Sequence, residues 1–98
     1  MLKLLVKSTV KSGHWEKAAS LYKEIIEETR LEKGCLEYEL FVDTNDEHSC
    51  YLIETWESEA DLEAHKVSAH MTRILPQLGE CRVAKPEVLF LKKPDLLR

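Results

Sequence analysis

The segment CLEYELFVDTNDEHSCYLIETWE, residues 35–57, predicts the centre of a β-sheet. Apolar and polar side chains alternate over Cys35–Asp43, which is the two-residue period of a strand. A second strand is predicted at Ser49–Glu57, after the polar turn TNDEH. Because so short a turn joins the two strands, they form an antiparallel hairpin.

The hairpin runs directly into a helix. Ser58 is a good N-cap and Asp61 stands in the capping-box position, so a helix is predicted over Ser58–Lys66. A second helical piece is predicted at Ala69–Leu78, with Gly79 as its end.

The flanking segments complete the predicted order of strands and helices. Leu2–Val10, rich in Leu and Val, predicts a first strand. His14–Lys33 has apolar residues at helical spacing and predicts the longest helix, with Gly34 in the C-terminal capping position. Arg82–Lys93 predicts a last strand, and Pro86 within it indicates an edge position because proline cannot donate to a ladder.

The order strand, helix, strand, strand, helix, strand predicts a ferredoxin-like α+β fold over a single domain, residues 1–98, with a four-stranded antiparallel sheet. Both helices would lie on one face of this sheet. The strand Ser49–Glu57 has apolar or aromatic groups on both faces, so the second face also needs a cover. In a chain this short a second copy is the simplest cover, and we expect a homodimer.

Composition restricts the partners and the cofactors. A net charge of −4 with scattered basic residues argues against nucleic acid. No apolar run is long enough for a membrane span and no signal core is visible, so a cytoplasmic protein is expected. The three cysteines show no C-x-x-C spacing, and no glycine-rich phosphate loop or clustered ligand set is evident. We therefore expect neither a metal nor a flavin cofactor.

Three motifs carry a family resemblance: GCLEYEL (34–40), ETWES (54–58) and LEAHKVSAH (62–70). With them the chain resembles the antibiotic biosynthesis monooxygenase family, in particular its quinol monooxygenase-like branch. The resemblance implies a dimeric α/β barrel with a small apolar pocket in each subunit, between sheet and helices. It also implies oxidation of phenols or quinols by molecular oxygen without metal or flavin. Related members isomerise a phosphorylated sugar derivative or degrade haem, but the first strand lacks the asparagine used for haem.

His65 and His70 are the first candidate catalytic residues, since both fall on the third motif. On a straight helix their rings would lie about 140° apart, so they share a side only if Ser68 breaks the helix. The alternative is that one is a hydrogen-bonded structural histidine and the other lies at the surface.

Glu54 is the third candidate catalytic residue, in mid-strand among apolar neighbours that should raise its pKa unless it is paired. It is a proton acceptor or a structural partner of a charged group, and we expect an imidazole as its partner. Trp56 and Tyr38 are candidates for binding an aromatic substrate, and the alternative for both is core packing.

The sequence thus favours a cofactor-independent monooxygenase that oxidises a phenolic or quinol-type molecule, with Glu54 or a neutral histidine as the base. Two alternatives stay open. The same groups could serve an isomerase that moves protons through an enediol, or the protein could be a dimeric ligand-binding or stress-related module without turnover.

Overall fold

The computed structural model describes residues 1–97 and has the predicted architecture. Its elements are β1 (Leu2–Thr9), α1 (Trp15–Thr29), β2 (Cys35–Asp43), β3 (Asp46–Trp56), α2 (Glu59–Lys66), α3 (Ala69–Cys81), β4 (Glu87–Leu91) and a short 3-10 helix (Asp95–Leu97). The four strands form one sheet in the order β2-β3-β1-β4, and all neighbours are antiparallel. The ferredoxin-like α+β prediction is confirmed. No helix within residues 1–97 is long and apolar enough to cross a membrane.

One face of the sheet, the inner face, packs against the helices and forms the core. Alternate residues of β1, β2 and β3 supply the sheet side of this core, and α1 and α3 supply the other side. The most completely buried large side chains are Trp56, Tyr22, Tyr38, Ile25, Ile74 and Leu78. The predicted alternation therefore placed the core residues of the strands on the correct face.

Helix α1 is shorter than predicted, because it ends at Thr29 and not at Lys33. The next residues form tight turns, in which the amide of Glu32 donates to the carbonyl of Thr29 at 2.9 Å. Gly34 has a φ of +82°, a left-handed conformation that ends this connection and turns the chain into β2. The apolar spacing does not extend into this segment: Leu31 is 84% exposed, so no packing favours another helical turn there.

The hairpin turn is also shorter than predicted. Only Thr44 and Asn45 connect the strands, and β3 begins at Asp46. The Asp43 carboxylate accepts a hydrogen bond from the Asn45 amide at 2.8 Å, a local bond that stabilises the turn. The polar residues from Asp46 to His48 thus belong to the strand, because its end extends beyond the core where polar side chains meet water.

The C-terminal boundaries differ in the same way. Helix α3 continues through Gly79 to Cys81, so the predicted stop at Gly79 is wrong. Arg82 forms only an isolated bridge with Val10, and β4 starts at Glu87. Pairing cannot start earlier because Pro86 has no amide hydrogen and restricts the residue before it. The predicted edge position of this strand is confirmed.

The opposite face of the sheet, the outer face, carries apolar side chains that the helices of residues 1–97 do not cover. Leu5 pairs with Ile53 on one side and with Leu89 on the other, so these three residues form a row across β3, β1 and β4. Phe41 and Leu91 extend the apolar surface, and they are 51% and 44% exposed. An apolar sheet face of this kind is typical of an interaction surface.

The turn at Gly34 gives the first testable prediction. A Cβ on Gly34 would overlap the side chain of Asp61, and the φ of +82° is unfavourable for any other residue. We expect Gly34→Ala to lower the free energy of unfolding by about 2–4 kcal/mol, as measured by urea denaturation. Gly13→Ala is the matched control, because Gly13 has a φ of +78° but open space around it, and it should cost only about 1–2 kcal/mol. If both variants lose the same free energy of unfolding, the close approach of Gly34 to Asp61 does not contribute to the effect.

Candidate active site

A cavity of about 390 Å³ lies between the inner face of the sheet and the helices. Its walls are mainly apolar and come chiefly from β1, β3, β4, α2 and α3. The polar side chains in its lining are those of Tyr38, Glu54, His65, Lys66 and Arg82. An apolar cavity with a few convergent polar groups is the usual form of a small-molecule site.

His65 contributes an imidazole that is only 3% exposed and lines this cavity. Its Nδ1 lies 2.6 Å from Oε2 of Glu32, so Nδ1–H donates to the carboxylate. The ring packs on Trp56, with centroids 4.7 Å apart, and meets Tyr38 edge-on at 5.5 Å. No residue in the described range 1–97 hydrogen-bonds Nε2, which therefore keeps its lone pair for a molecule in the cavity.

His70 binds the same carboxylate from another side. Its Nε2 lies 3.1 Å from Oε2 of Glu32 and 3.2 Å from the hydroxyl of Thr29. The chain interruption between α2 and α3, at Val67 and Ser68, allows this approach, as the sequence hypothesis required. His70 does not line the cavity, so of the two histidines only His65 faces a bound molecule.

Glu32 is a residue of the site that the sequence analysis did not identify. It falls near the end of the helix predicted over His14–Lys33, with no motif to distinguish it. The turns after α1 direct its carboxylate inwards, where it is 18% exposed and contacts both histidines.

The cluster of Glu32, His65 and His70 also has the chemistry of a metal-binding group. Its three ligand atoms lie within 4.8 Å of one another, although the sequence had shown no clustered ligands. Around a zinc ion with bonds of about 2.0–2.1 Å, neighbouring ligand atoms are separated by roughly 3.0–3.4 Å. The 2.6 Å between Nδ1 of His65 and Glu32 is shorter and fits a shared proton. In this arrangement the cluster is a hydrogen-bonded triad, and a cation would have to spread it.

Glu54 lies at the centre of the inner face and is 4% exposed. Its Oε1 accepts a hydrogen bond from Nε1 of Trp56 at 3.0 Å, so the expected pair with an imidazole is not formed. Burial raises the pKa of the Glu54 carboxyl; the Trp56 bond opposes this shift and the charge of Glu32 adds to it. Burial therefore shifts the protonation equilibrium of Glu54 towards the neutral carboxyl group.

Burial shifts the pKa of His65 in the opposite direction. Loss of water lowers it, while the hydrogen bond and charge of Glu32 partly offset this effect. The neutral imidazole, with its proton on Nδ1, is thus the favoured form near neutral pH. A neutral base and a carboxyl group with a raised pKa line the same cavity, which is the combination that acid–base chemistry requires.

The structure separates the two aromatic candidates. Tyr38 lines the cavity, although it is only 2% exposed. Trp56 is fully buried and lies behind His65, where it supports the imidazole and bonds Glu54. A molecule in the cavity would thus meet Tyr38 directly, and Trp56 only through its two neighbours.

Comparison with known proteins gives a consistent result. Residues 1–77 match the model of the family described as antibiotic biosynthesis monooxygenase. A crystal structure of an antibiotic biosynthesis monooxygenase is 32% identical, with a TM-score of 0.91 over 96% of this chain and 99% of that chain. A conserved protein from Methanosarcina mazei is 29% identical, with a TM-score of 0.91 over 95% and 92% of the two chains. A Bacteroides thetaiotaomicron protein described as a possible oxidoreductase is 27% identical, with a TM-score of 0.82 over 92% and 96%. No curated protein matches.

The burial of Glu54 predicts a pH-dependent stability. Because its pKa is raised in the folded state, the folded protein binds more protons than the unfolded chain, and stability falls as pH rises above about 4.5. Glu54→Gln keeps an oxygen that can accept the hydrogen bond from Trp56, but its amide does not ionise, so the variant avoids the fall in stability that ionisation of Glu54 causes. We expect the variant to gain stability relative to the wild type from pH 4.5 to pH 8, as measured by urea denaturation.

The control is Glu47→Gln, which changes an exposed glutamate of the same strand. Its stability should follow the wild-type pH profile. A constant difference between Glu54→Gln and the wild type over this range would contradict the raised pKa.

Proposed function

Because the chain belongs to the antibiotic biosynthesis monooxygenase family, we propose that it is a cofactor-independent monooxygenase for a phenolic or quinol-type molecule. The observation that supports the proposal is the imidazole of His65, which lines an apolar cavity, is oriented by Glu32 through Nδ1 and has no hydrogen-bond partner at Nε2 among residues 1–97. We further propose a cytoplasmic location, which is supported by the free thiols.

In the proposed reaction His65 acts as the base. A substrate hydroxyl lies against Nε2 and gives up its proton, and the charge of Glu32 stabilises the imidazolium that forms. The resulting anion is electron-rich and transfers one electron to molecular oxygen. The two radicals combine to form a peroxide on a ring carbon, so that no metal or flavin is needed to carry electrons.

Glu54 supplies the acid for the second half of the reaction. The imidazolium returns its proton to the peroxide, which becomes a hydroperoxide. Neutral His65 then removes the remaining proton of the same ring carbon as the O–O bond breaks, and protonated Glu54 gives its proton to the departing hydroxide to form water. The proton that His65 has taken up finally restores Glu54. One oxygen atom remains on the substrate as a carbonyl and the other leaves as water. All four electrons come from the substrate, whose hydroxyl-bearing carbon and ring C–H carbon both become C=O.

An isomerase is the second candidate function. His65 and Glu54 line one cavity as a base and an acid, and an enediol reaction needs the same two groups. The two functions differ in their use of oxygen, because an isomerase converts its substrate without consuming any.

We also propose that the active form is a homodimer. The outer face carries the apolar row of Leu5, Ile53 and Leu89, and β4 forms an open edge beside it. Two copies that pack these faces together would cover the exposed apolar surface, as in the obligate dimers of many small proteins.

The test of the catalytic proposal is oxygen uptake with a panel of anthrones and quinols. We expect His65→Gln to lower kcat by about a hundredfold or more, because Gln cannot accept the proton. Glu32→Gln should lower kcat less, since the base remains but its orientation and its counter-charge are weakened. Burial holds the pKa of His65 below its ordinary value of 6.5, so wild-type activity should still be high at pH 6.5 and should fall only at lower pH, where His65 becomes protonated.

Thr72→Ala is the control, because it changes an exposed residue of α3 that does not line the cavity. Elemental analysis and a chelator belong to the same experiment, since bound stoichiometric metal would reassign the cluster of Glu32, His65 and His70. Turnover without oxygen would favour the isomerase. Full activity per folded His65→Gln molecule would contradict the assignment of the base.

The dimer is tested by light scattering at micromolar concentration. The wild type should have twice the 11.4 kDa mass of one chain, and Leu89→Lys should yield a monomer because it buries a charge in the interface. Val67→Lys is the matched control, since Val67 is 78% exposed and lies after α2, away from the outer face. A monomeric wild type would contradict the proposed homodimer.

A further inference from the structure

Arg82 occupies a part of the cavity that the proposed reaction does not use. It follows α3 directly and lines the cavity together with Leu78 and Pro86. One of its terminal nitrogens donates to the hydroxyl of Tyr22 at 3.3 Å. Its Nε is buried without a hydrogen-bond partner, and no carboxylate within residues 1–97 forms an ion pair with it.

The neighbours of Arg82 provide no negative charge. Burial raises the pKa of Tyr22, which keeps its phenol neutral. The thiol of Cys50 lies 3.8 Å from the same hydroxyl, and Cys50 pairs across the sheet with Ser8. The buried Ser8 hydroxyl makes no hydrogen bond of good geometry with the described residues, but it lies close enough to Tyr22 to lower the pKa of the phenol against the larger effect of burial. Ser8 and Arg82 thus both lie beside Tyr22, and of these residues Arg82 lines the cavity.

A partly buried cation without a counter-charge is energetically unfavourable unless a bound ligand supplies that charge. A guanidinium carries a full positive charge and five N–H donors, and a partly buried one normally has a carboxylate or phosphate partner. Lys66, the other cation of the cavity lining, is paired with Glu63 at 3.1 Å. Arg82 is therefore the cation whose partner a bound molecule could supply.

The distance between the two polar ends limits the size of this molecule. Glu54 lies near the reacting end, and Cys50 marks the Arg82 end four residues along β3, which corresponds to about 13 Å of strand. Side chains reach inwards from both ends and shorten this span. A bicyclic or tricyclic aromatic with a substituent at each end suits the remaining length and the apolar walls.

We propose that Arg82 forms an anion subsite, and that the cavity binds a fused aromatic molecule with a carboxylate at Arg82 and a hydroxyl at His65. The carboxylate accepts hydrogen bonds from the guanidinium fork, which is the geometry that arginine provides and lysine does not. The inference rests on the proposed function only for the role of the hydroxyl; the binding preference can be measured without turnover.

The test is isothermal titration calorimetry with two probes of the same ring size, 6-hydroxy-2-naphthoate and 2-naphthol. We expect the wild type to bind the carboxylate about tenfold more tightly or better. Arg82→Gln should remove this preference and leave the affinity for 2-naphthol unchanged. Lys66→Gln is the matched control, because it removes the other cation of the cavity lining and should keep the preference.

Arg82→Lys provides a second variant if Arg82→Gln is poorly folded by circular dichroism. It keeps the charge but loses the fork, so part of the preference should remain. His65→Gln should retain the preference for the carboxylate, because His65 contacts the hydroxyl that both probes share. If the wild type prefers the carboxylate but consumes no oxygen with any substrate, the catalytic proposal is refuted and the anion subsite is not. Equal affinities for the two probes in the wild type, absence of carboxylate binding, or loss of the preference in Lys66→Gln would overturn the subsite.

Discussion

The carboxylate of Glu32 is the group on which the arrangement of the site depends. One oxygen, Oε2, accepts from His65 and lies 3.1 Å from His70, so it connects the turn after α1 with α2 and α3. A carboxylate with so little exposure needs partners, because an unpaired buried charge is expensive. Hydrogen bonds to a charged group contribute about 1.5–3 kcal/mol each, so this oxygen both stabilises the helix layer and fixes the tautomer of His65.

Two interruptions of regular structure make this contact possible. The left-handed Gly34 ends the connection that turns Glu32 inwards, and the break at Ser68 brings His70 back towards the same point. The Ser68 hydroxyl and the Ser68 amide both donate to the carbonyl of His65, at 2.8 and 3.1 Å, and these two bonds stabilise the break between the helices. A continuous helix from α2 into α3 would place the two imidazoles on different sides. The irregular positions of the chain are thus the ones that assemble its chemistry.

This explains which features could be predicted from the sequence. The strands and the inner-face residues Tyr38, Glu54 and Trp56 followed from the two-residue alternation, because a buried face imposes it on every strand. The end of α1 and the role of Glu32 could not be predicted, since a single glutamate near a helix end has the same local sequence pattern whether it contacts water or an imidazole. Arg82 was missed for a similar reason: it was read as the start of a strand, and only the three-dimensional structure shows that Pro86 delays β4 and leaves Arg82 beside the cavity.

Burial in the cavity wall also shifts the protonation equilibria of two titratable groups. Loss of water raises the pKa of Glu54 and lowers that of His65, so at the reacting end both groups are pushed towards their neutral forms. Neutral forms of these two groups would suit the proposed reaction, because molecular oxygen is apolar and a substrate hydroxyl would give up its proton to an imidazole that Glu32 already orients. The positive charge of Arg82 lies apart from this region, where it can orient a ligand without holding the reacting anion in an unreactive ion pair. In the proposed arrangement the inner face would thus bind the ligand at one end of β3 and react with it at the other, while the outer face would be free for the proposed dimer.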